Sequence, residues 1–151
     1  MEKELLAQIR TLPEKKEKLQ ATKQKRERLE NTKDSVSEDV YKSLSQQYDD
    51  DIQKLESEIS ELMKKADTAL AENKLEADNT SDEINKIEKQ LQELASLEEA
   101  GAMDEKEVNE KRNTAKKKLA QKKQKQKTLQ KEKEKIENAK TAESNEDLLK
   151  D

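Results

Sequence analysis

From Tyr41 to Ala66 the apolar side chains fall at Tyr41, Leu44, Tyr48, Ile52, Leu55, Ile59, Leu62 and Ala66, stepping by three and four. That period places one narrow apolar stripe along one side of an α-helix, the pattern of a coiled-coil seam. A narrow stripe is all the chain can supply. Only 29% of its residues are apolar and 45% are charged, too lean a mixture for a compact globular core. The alternatives are long helices that each bury a stripe, or no fold at all. Lys, Glu, Gln, Ala and Leu are abundant, and all favour helix. Gly101 and Pro13 are the only Gly and Pro, whereas disordered chains carry more of both. The fold class expected is therefore all-α.

Two turn signals divide the chain. The run Asn31-Thr32-Lys33-Asp34-Ser35 is rich in turn formers. In Ala100-Gly101-Ala102, the glycine can take the left-handed conformation that ends a helix. Each signal precedes a helix start. Ser37 is a candidate N-cap with Val36 before it and Tyr41 after it, and Asp104 is another with Met103 and Val108. Both carry the hydrophobic staple, and Glu107 completes a capping box with Asp104. The two turn regions superpose at an offset of 67 residues, a weak internal repeat. Three helices follow, near 2–32, 38–99 and 105–139. The middle one would be about 90 Å long at about 1.5 Å per residue. Pro13 is expected to kink the first helix or to delay its start.

The stripes also predict how the helices pair. The first helix carries Leu5, Ile9, Leu12, Lys16, Leu19, Thr22, Arg26 and Leu29. Folded back at the first turn, Leu29 faces Tyr41, Lys16 faces Leu55 and Leu5 faces Ala66. Facing positions add to 70 or 71 throughout, as an antiparallel hairpin requires. The later half of the middle helix carries Leu70, Asn73, Ala77, Thr80, Ile84, Ile87, Leu91, Leu94 and Leu97. The last helix carries Val108, Arg112, Ala115, Leu119, Lys122, Gln126, Leu129, Lys133 and Ile136. These fold together in the same way, with Thr80 opposite Gln126 and Asn73 opposite Lys133. The expected architecture is an elongated antiparallel coiled coil in which two tandem hairpins share one long central helix. The first hairpin spans 1–68, the second spans 69–139, and an acidic tail covers 140–151. The seams meet near Ala66 to Leu70, where the three-four stepping stutters.

Charge follows the same division. Residues 37–99 carry 18 acidic and 7 basic side chains, whereas 111–135 carry 12 basic and 2 acidic. Residues 2–36 hold 10 basic and 7 acidic. Two basic helices thus flank an acidic one, which disfavours pairing of the acidic helix with itself and favours the folded-back arrangement.

Few residues point to chemistry. The chain has no His and no Cys, so the usual nucleophile–base pairs have no members here and no disulfide can form. Asp49-Asp50-Asp51 point in three directions on a helix and do not converge on a cation. No catalytic, cofactor-binding or metal-binding residue is assigned, and the chain is read as non-enzymatic. The candidate interaction residues are Lys116, Lys117, Lys118, Lys122, Lys123, Lys125 and Lys127 in the basic helix, with Leu148 and Leu149 in the tail. The lysines can neutralise phosphates in a salt-dependent way, or they can be answered by the acidic middle helix. The tail can dock into a groove as a short amphipathic segment or fray. Tyr41 and Tyr48 read as anchors beside the first turn. The charged start and the lack of a long apolar run point to a cytoplasmic chain without a transmembrane span.

The stretch from Leu29 to Ile59, with Val36-Ser37-Glu38-Asp39-Val40-Tyr41 after its turn, resembles prokaryotic helical-hairpin oligomerisation modules. It is similar in style to the steadiness box of the ESCRT-I complex. Asp34 stands where such a turn usually has Gly, and the second hairpin has Gly101 but no Tyr. The resemblance implies a scaffold or adaptor, a subunit of a larger complex such as ESCRT-type membrane-remodelling machinery. Protein partners and self-association are expected. Nucleic acid bound through 111–135 is the alternative, and peripheral membrane contact stays open.

Overall fold

A computed structural model describes residues 2–144. The described chain is almost entirely helical: α1 (Lys3–Ile9), α2 (Leu12–Asn31), α3 (Glu38–Glu99) and α4 (Glu105–Thr141), with a 3-10 turn at Lys33–Ser35. No strand occurs among the described residues. The all-α expectation holds.

Helix ends follow local chemistry. At the first turn, Ser37 accepts a hydrogen bond at its Oγ from the Val40 N–H (3.3 Å), and its carbonyl accepts from Tyr41 N–H (2.9 Å). Ser37 is therefore the N-cap of α3. At the second turn, Gly101 has φ of 66°. Ala102 N–H donates to the Leu97 carbonyl (3.0 Å) and Gly101 N–H to that of Glu98 (3.1 Å). This pair of bonds is the Schellman closure, which needs the left-handed residue that glycine supplies most easily. Before α4, the Asp104 carbonyl accepts from Val108 N–H (2.9 Å). Glu107 does not complete a capping box with Asp104 and pairs instead with Lys111 in its own helix (3.6 Å).

The first expected helix is two helices. The chain breaks at Arg10–Thr11, where Thr11 N–H and Oγ1–H both donate to the Gln8 carbonyl (3.1 and 2.6 Å). Pro13 then lies in the first turn of α2. There its missing N–H leaves no helical bond unmade, so proline starts a helix instead of kinking one.

The chain divides into two compact units. The first comprises Met1–Leu70 with Glu134–Asp151, and the second Ala71–Lys133. In the first unit α2 meets α3 with positions running in opposite directions: Lys15 pairs with Glu58 (2.8 Å), Lys23 with Glu56 (3.7 Å) and Arg26 with Asp49 (3.0 Å). Its core gathers three stretches of chain. Ile9 and Leu12, then Leu62, Ala66 and Ala69, then Ile136 and Ala139 form one buried cluster, with Leu5, Leu6, Ile59, Met63 and Leu70 packed against it. The final turns of α4 thus pack against α1, the start of α2 and the middle of α3. Alanines at Ala66, Ala69 and Ala139 let backbones approach closely here, because a methyl group is the whole side chain. Lys16, which the stripe places against Leu55, instead sends its Nζ–H to the Lys140 carbonyl (2.6 Å) in the last turn of α4. A cation is favourable at that end of a helix. Lys140 in turn pairs with Asp67.

In the second unit α3 and α4 bury Asn73, Thr80, Ile84, Ile87, Leu94, Val108, Ala115 and Leu129. Ion pairs join Glu76 to Lys125 (2.8 Å), Glu83 to Lys122 and Glu98 to Arg112, again in opposite chain order. Three stripe residues are out of place. Gln126 and Lys133 are exposed, as is Leu97. Asn73 does not spend its amide on Lys133; Nδ2–H donates to the Leu129 carbonyl (2.9 Å). Thr80 does not bond Gln126 either, because its hydroxyl donates to the Glu76 carbonyl one turn back (2.8 Å). Both buried polar groups find backbone acceptors, which a seam read as facing side-chain pairs does not anticipate.

Candidate interaction surfaces

The basic helix of the second unit has two sides of different character. From Lys111 to Lys131 the sequence holds ten basic residues and no acid. On the side toward α3, Lys122 and Lys125 are engaged by Glu83 and Glu76. The contacts move the titrations in the directions that ion pairs dictate. Hydrogen bonding by Lys122 holds the Glu83 carboxyl below its usual range. Lys125 does the same to Glu76, and Glu76 raises Lys125 in return. Arg112 reaches both Glu98 and the Asn109 side chain. On the outward side, Lys116, Lys117, Lys123 and Lys127 are exposed; Lys118 is exposed as well, on the side toward α3, and none of these five makes an ion pair within the described residues. The seven lysines named from sequence thus separate into two that the fold engages and five that face water.

At the turn of this unit, Leu94, Leu97, Met103 and Ala115 line an open groove. Lys111, Lys118, Glu93 and Glu110 edge it with both signs of charge. Leu97 contributes the apolar surface there and is 37% exposed.

The first unit has its own polar cluster beside its turn, and no sequence pattern announced it. Arg26 Nη1–H donates to Glu30 (3.0 Å) and Nε–H to Asp49 (3.0 Å). Its guanidinium lies over the Tyr41 ring at 5.9 Å, and Lys33 Nζ lies over the same ring at 5.0 Å. The Tyr41 hydroxyl donates to Glu30. Glu30 is held below its usual range first by that hydroxyl and then by Arg26. Arg26 is raised further still above its ordinary value, by Glu30 first and Asp49 next. Tyr41 therefore anchors the turn through its hydroxyl and two cations as well as its ring. Spacing puts Arg26 and Tyr41 on the facing stripes, but Asp49 lies beside the stripe and Glu30 outside it, so the cluster is visible only in the fold.

Asp49 is committed to Arg26, and Asp50 accepts from the Gln46 side chain (2.8 Å). Among the described residues no group of three or more His, Cys, Asp or Glu is placed to hold a metal ion. Leu148 and Leu149 lie outside the described residues. No helix among the described residues is long and apolar enough to cross a membrane. No family model matches the chain, and comparisons with curated proteins and with solved structures give no significant match.

Proposed function

We propose that this chain is a non-enzymatic structural or assembly protein, a coiled-coil scaffold or adaptor that holds protein partners in a larger complex. In this reading α1 and α2 fold back on the first part of α3, and α4 folds back on the rest. The observation that carries it is how the buried side chains are used. Those of the second unit, Ile84, Ile87, Leu94, Val108, Ala115 and Leu129, lie on the two helices joined by cross-helix ion pairs. In the first unit they likewise hold helices together. Long charged outer faces remain, and such faces suit recognition by other proteins.

The pairing is tested by a cysteine pair, since the chain has no cysteine of its own. Asn73→Cys with Leu129→Cys sits where α3 and α4 already touch. Mild oxidation of dilute protein should give a cross-linked monomer, because a disulfide needs α-carbons within about 7 Å. Cross-linked dimer alone would replace the folded-back pairing with an exchanged one. The function is tested by assembly. The purified chain is sedimented alone and with individually purified proteins recovered alongside it from native extract. A complex of fixed stoichiometry is expected. A chain that stays monomeric and retains none of those proteins overturns the scaffold reading.

A further inference from the structure

The outward lysines of α4 form a line. Lys116, Lys123, Lys127 and Lys131 follow one another at steps of seven, four and four, all exposed. At 3.6 residues per turn these positions fall within about 80° of the helix circumference, and they span about 22 Å along the axis. Lys117 flanks the line. None of the five makes an ion pair within the described residues. The acids of α3 that answer this helix, Glu76, Glu83 and Glu98, take Lys125, Lys122 and Arg112 instead. No acid interrupts the run from Lys111 to Lys131. The second unit therefore has one basic outer edge held rigid by an acidic helix on its inner side.

We infer that this lysine line is a docking edge for the phosphate backbone of double-stranded nucleic acid. Three observations favour that occupant. Lysines are point charges suited to phosphate, whereas planar carboxylates are best matched by arginine; the one arginine in the run is engaged by Glu98. The apolar residues of the run are Ala115, Leu119, Ala120 and Leu129, and only Ala120 is exposed, so the edge has nothing to insert into a bilayer. No aromatic residue follows Tyr48, so stacking on the bases of a single strand is not available. A duplex presents about one charge per 1.7 Å of axis, and the line is long enough to reach phosphates across a major groove about 12 Å wide. Recognition is by charge alone and blind to sequence.

The test uses the full chain and a short fluorescent duplex of arbitrary sequence, with binding read by anisotropy at several salt concentrations. Four phosphate contacts give a slope of log affinity against log salt of about −3.6, a loss of roughly a hundredfold between 50 and 200 mM. Replacing Lys116, Lys123, Lys127 and Lys131 by Gln should weaken binding at least tenfold and flatten the slope. Replacing the same four by Arg should preserve both. A control variant replaces Lys25, Lys54, Lys64 and Lys65 by Gln, the same change in net charge in the first unit, and should bind as the native chain does. Circular dichroism checks that each variant remains helical. Equal losses in the line and control variants would reduce the effect to net charge and overturn the proposal. So would unchanged binding by the Gln variant, or binding of phosphatidylserine vesicles without binding of the duplex.

Discussion

Within the first unit, two stretches of α3 meet their neighbours on different terms. From Ile59 to Leu70 the helix has two neighbours, the α1–α2 corner on one side and the last turns of α4 on another. Ile9, Leu12, Ala66, Ile136 and Ala139 all reach 0% exposure there. From Tyr41 to Leu55 it has one neighbour, α2, and Tyr41, Leu44, Tyr48, Ile52 and Leu55 are all only half-buried. The three-four stripe of 41–55 continues into 59–70 as far as Ala66. Periodicity therefore says which face is covered, while the number of neighbours decides how completely. Where only two helices meet, water reaches the edges of the seam, and there Arg26, half-buried on the stripe, keeps its charged head paired with Asp49.

The largest expected effect comes from breaking the three-stretch core. Ile136→Ala removes a fully buried side chain and should cost about 2–5 kcal/mol. Ile52→Ala, from the half-buried seam, should cost about 1–2 kcal/mol, in proportion to the smaller area removed from water. Urea titrations of the two variants make the comparison. Equal costs would mean that α4 does not complete the core of the first unit. Amide exchange sharpens the same contrast, with slower exchange expected in 59–70 than in 41–55.

Much of this architecture was legible in the sequence, and the failures have physical causes. Ser37 and Gly101 marked the two turns because a cap and a left-handed residue are local requirements that need no partner. All sixteen stripe positions from Leu5 to Leu29 and from Tyr41 to Ala66 are buried or half-buried, because a seam is a property of one face of one helix. The third neighbour was not legible. It draws on Ala69 and Ala139, which are buried in the cluster yet too small to stand out in an apolar count. Gln126 and Lys133 were assigned to the seam by spacing, but long polar side chains can leave it for water, and both do. The lysines of α4 were visible as a run. Which of them face α3 depended on the rotation of the helix, and that only the fold supplies.

A smaller effect is expected from acid, and it should fall on the charge-paired contacts more than on the alanine-rich core. Glu76, Glu83, Glu58 and Glu30 all titrate below their usual value of 4.5 because a neighbour stabilises the charged form. A carboxylate with a depressed folded pKa adds stability above its unfolded pKa and loses it as the pH falls through the folded value. Melting temperature should therefore hold from neutrality down to the ordinary carboxylate range and drop below it. Protonation also leaves the basic run of α4 unanswered. Added salt should narrow the difference, since these pairs are exposed and screened. A melting temperature that is unchanged or higher in acid would show that the cross-helix pairs contribute nothing.

The smallest effect is expected at Asn73, where the second unit places a polar side chain in its seam. Its amide donates to the Leu129 carbonyl, an acceptor already within the α4 hydrogen-bond ladder. Asn73→Ala removes one buried hydrogen bond and should cost about 1 kcal/mol. Asn73→Leu exchanges that bond for apolar contact and should stay within about 1 kcal/mol of the native chain, on either side. What the leucine loses is position. The amide reaches one carbonyl on one turn of α4, whereas a leucine packs nearly as well one turn away. Thr80 provides the contrast, because its hydroxyl bonds within α3 and does not measure α4 at all. Asn73→Leu should therefore broaden or split the hydrogen-exchange mass envelope of peptides from α4, while Thr80→Val leaves a single envelope. A single envelope in both variants would mean that the ion pairs at Glu76, Glu83 and Glu98 set the register without the amide.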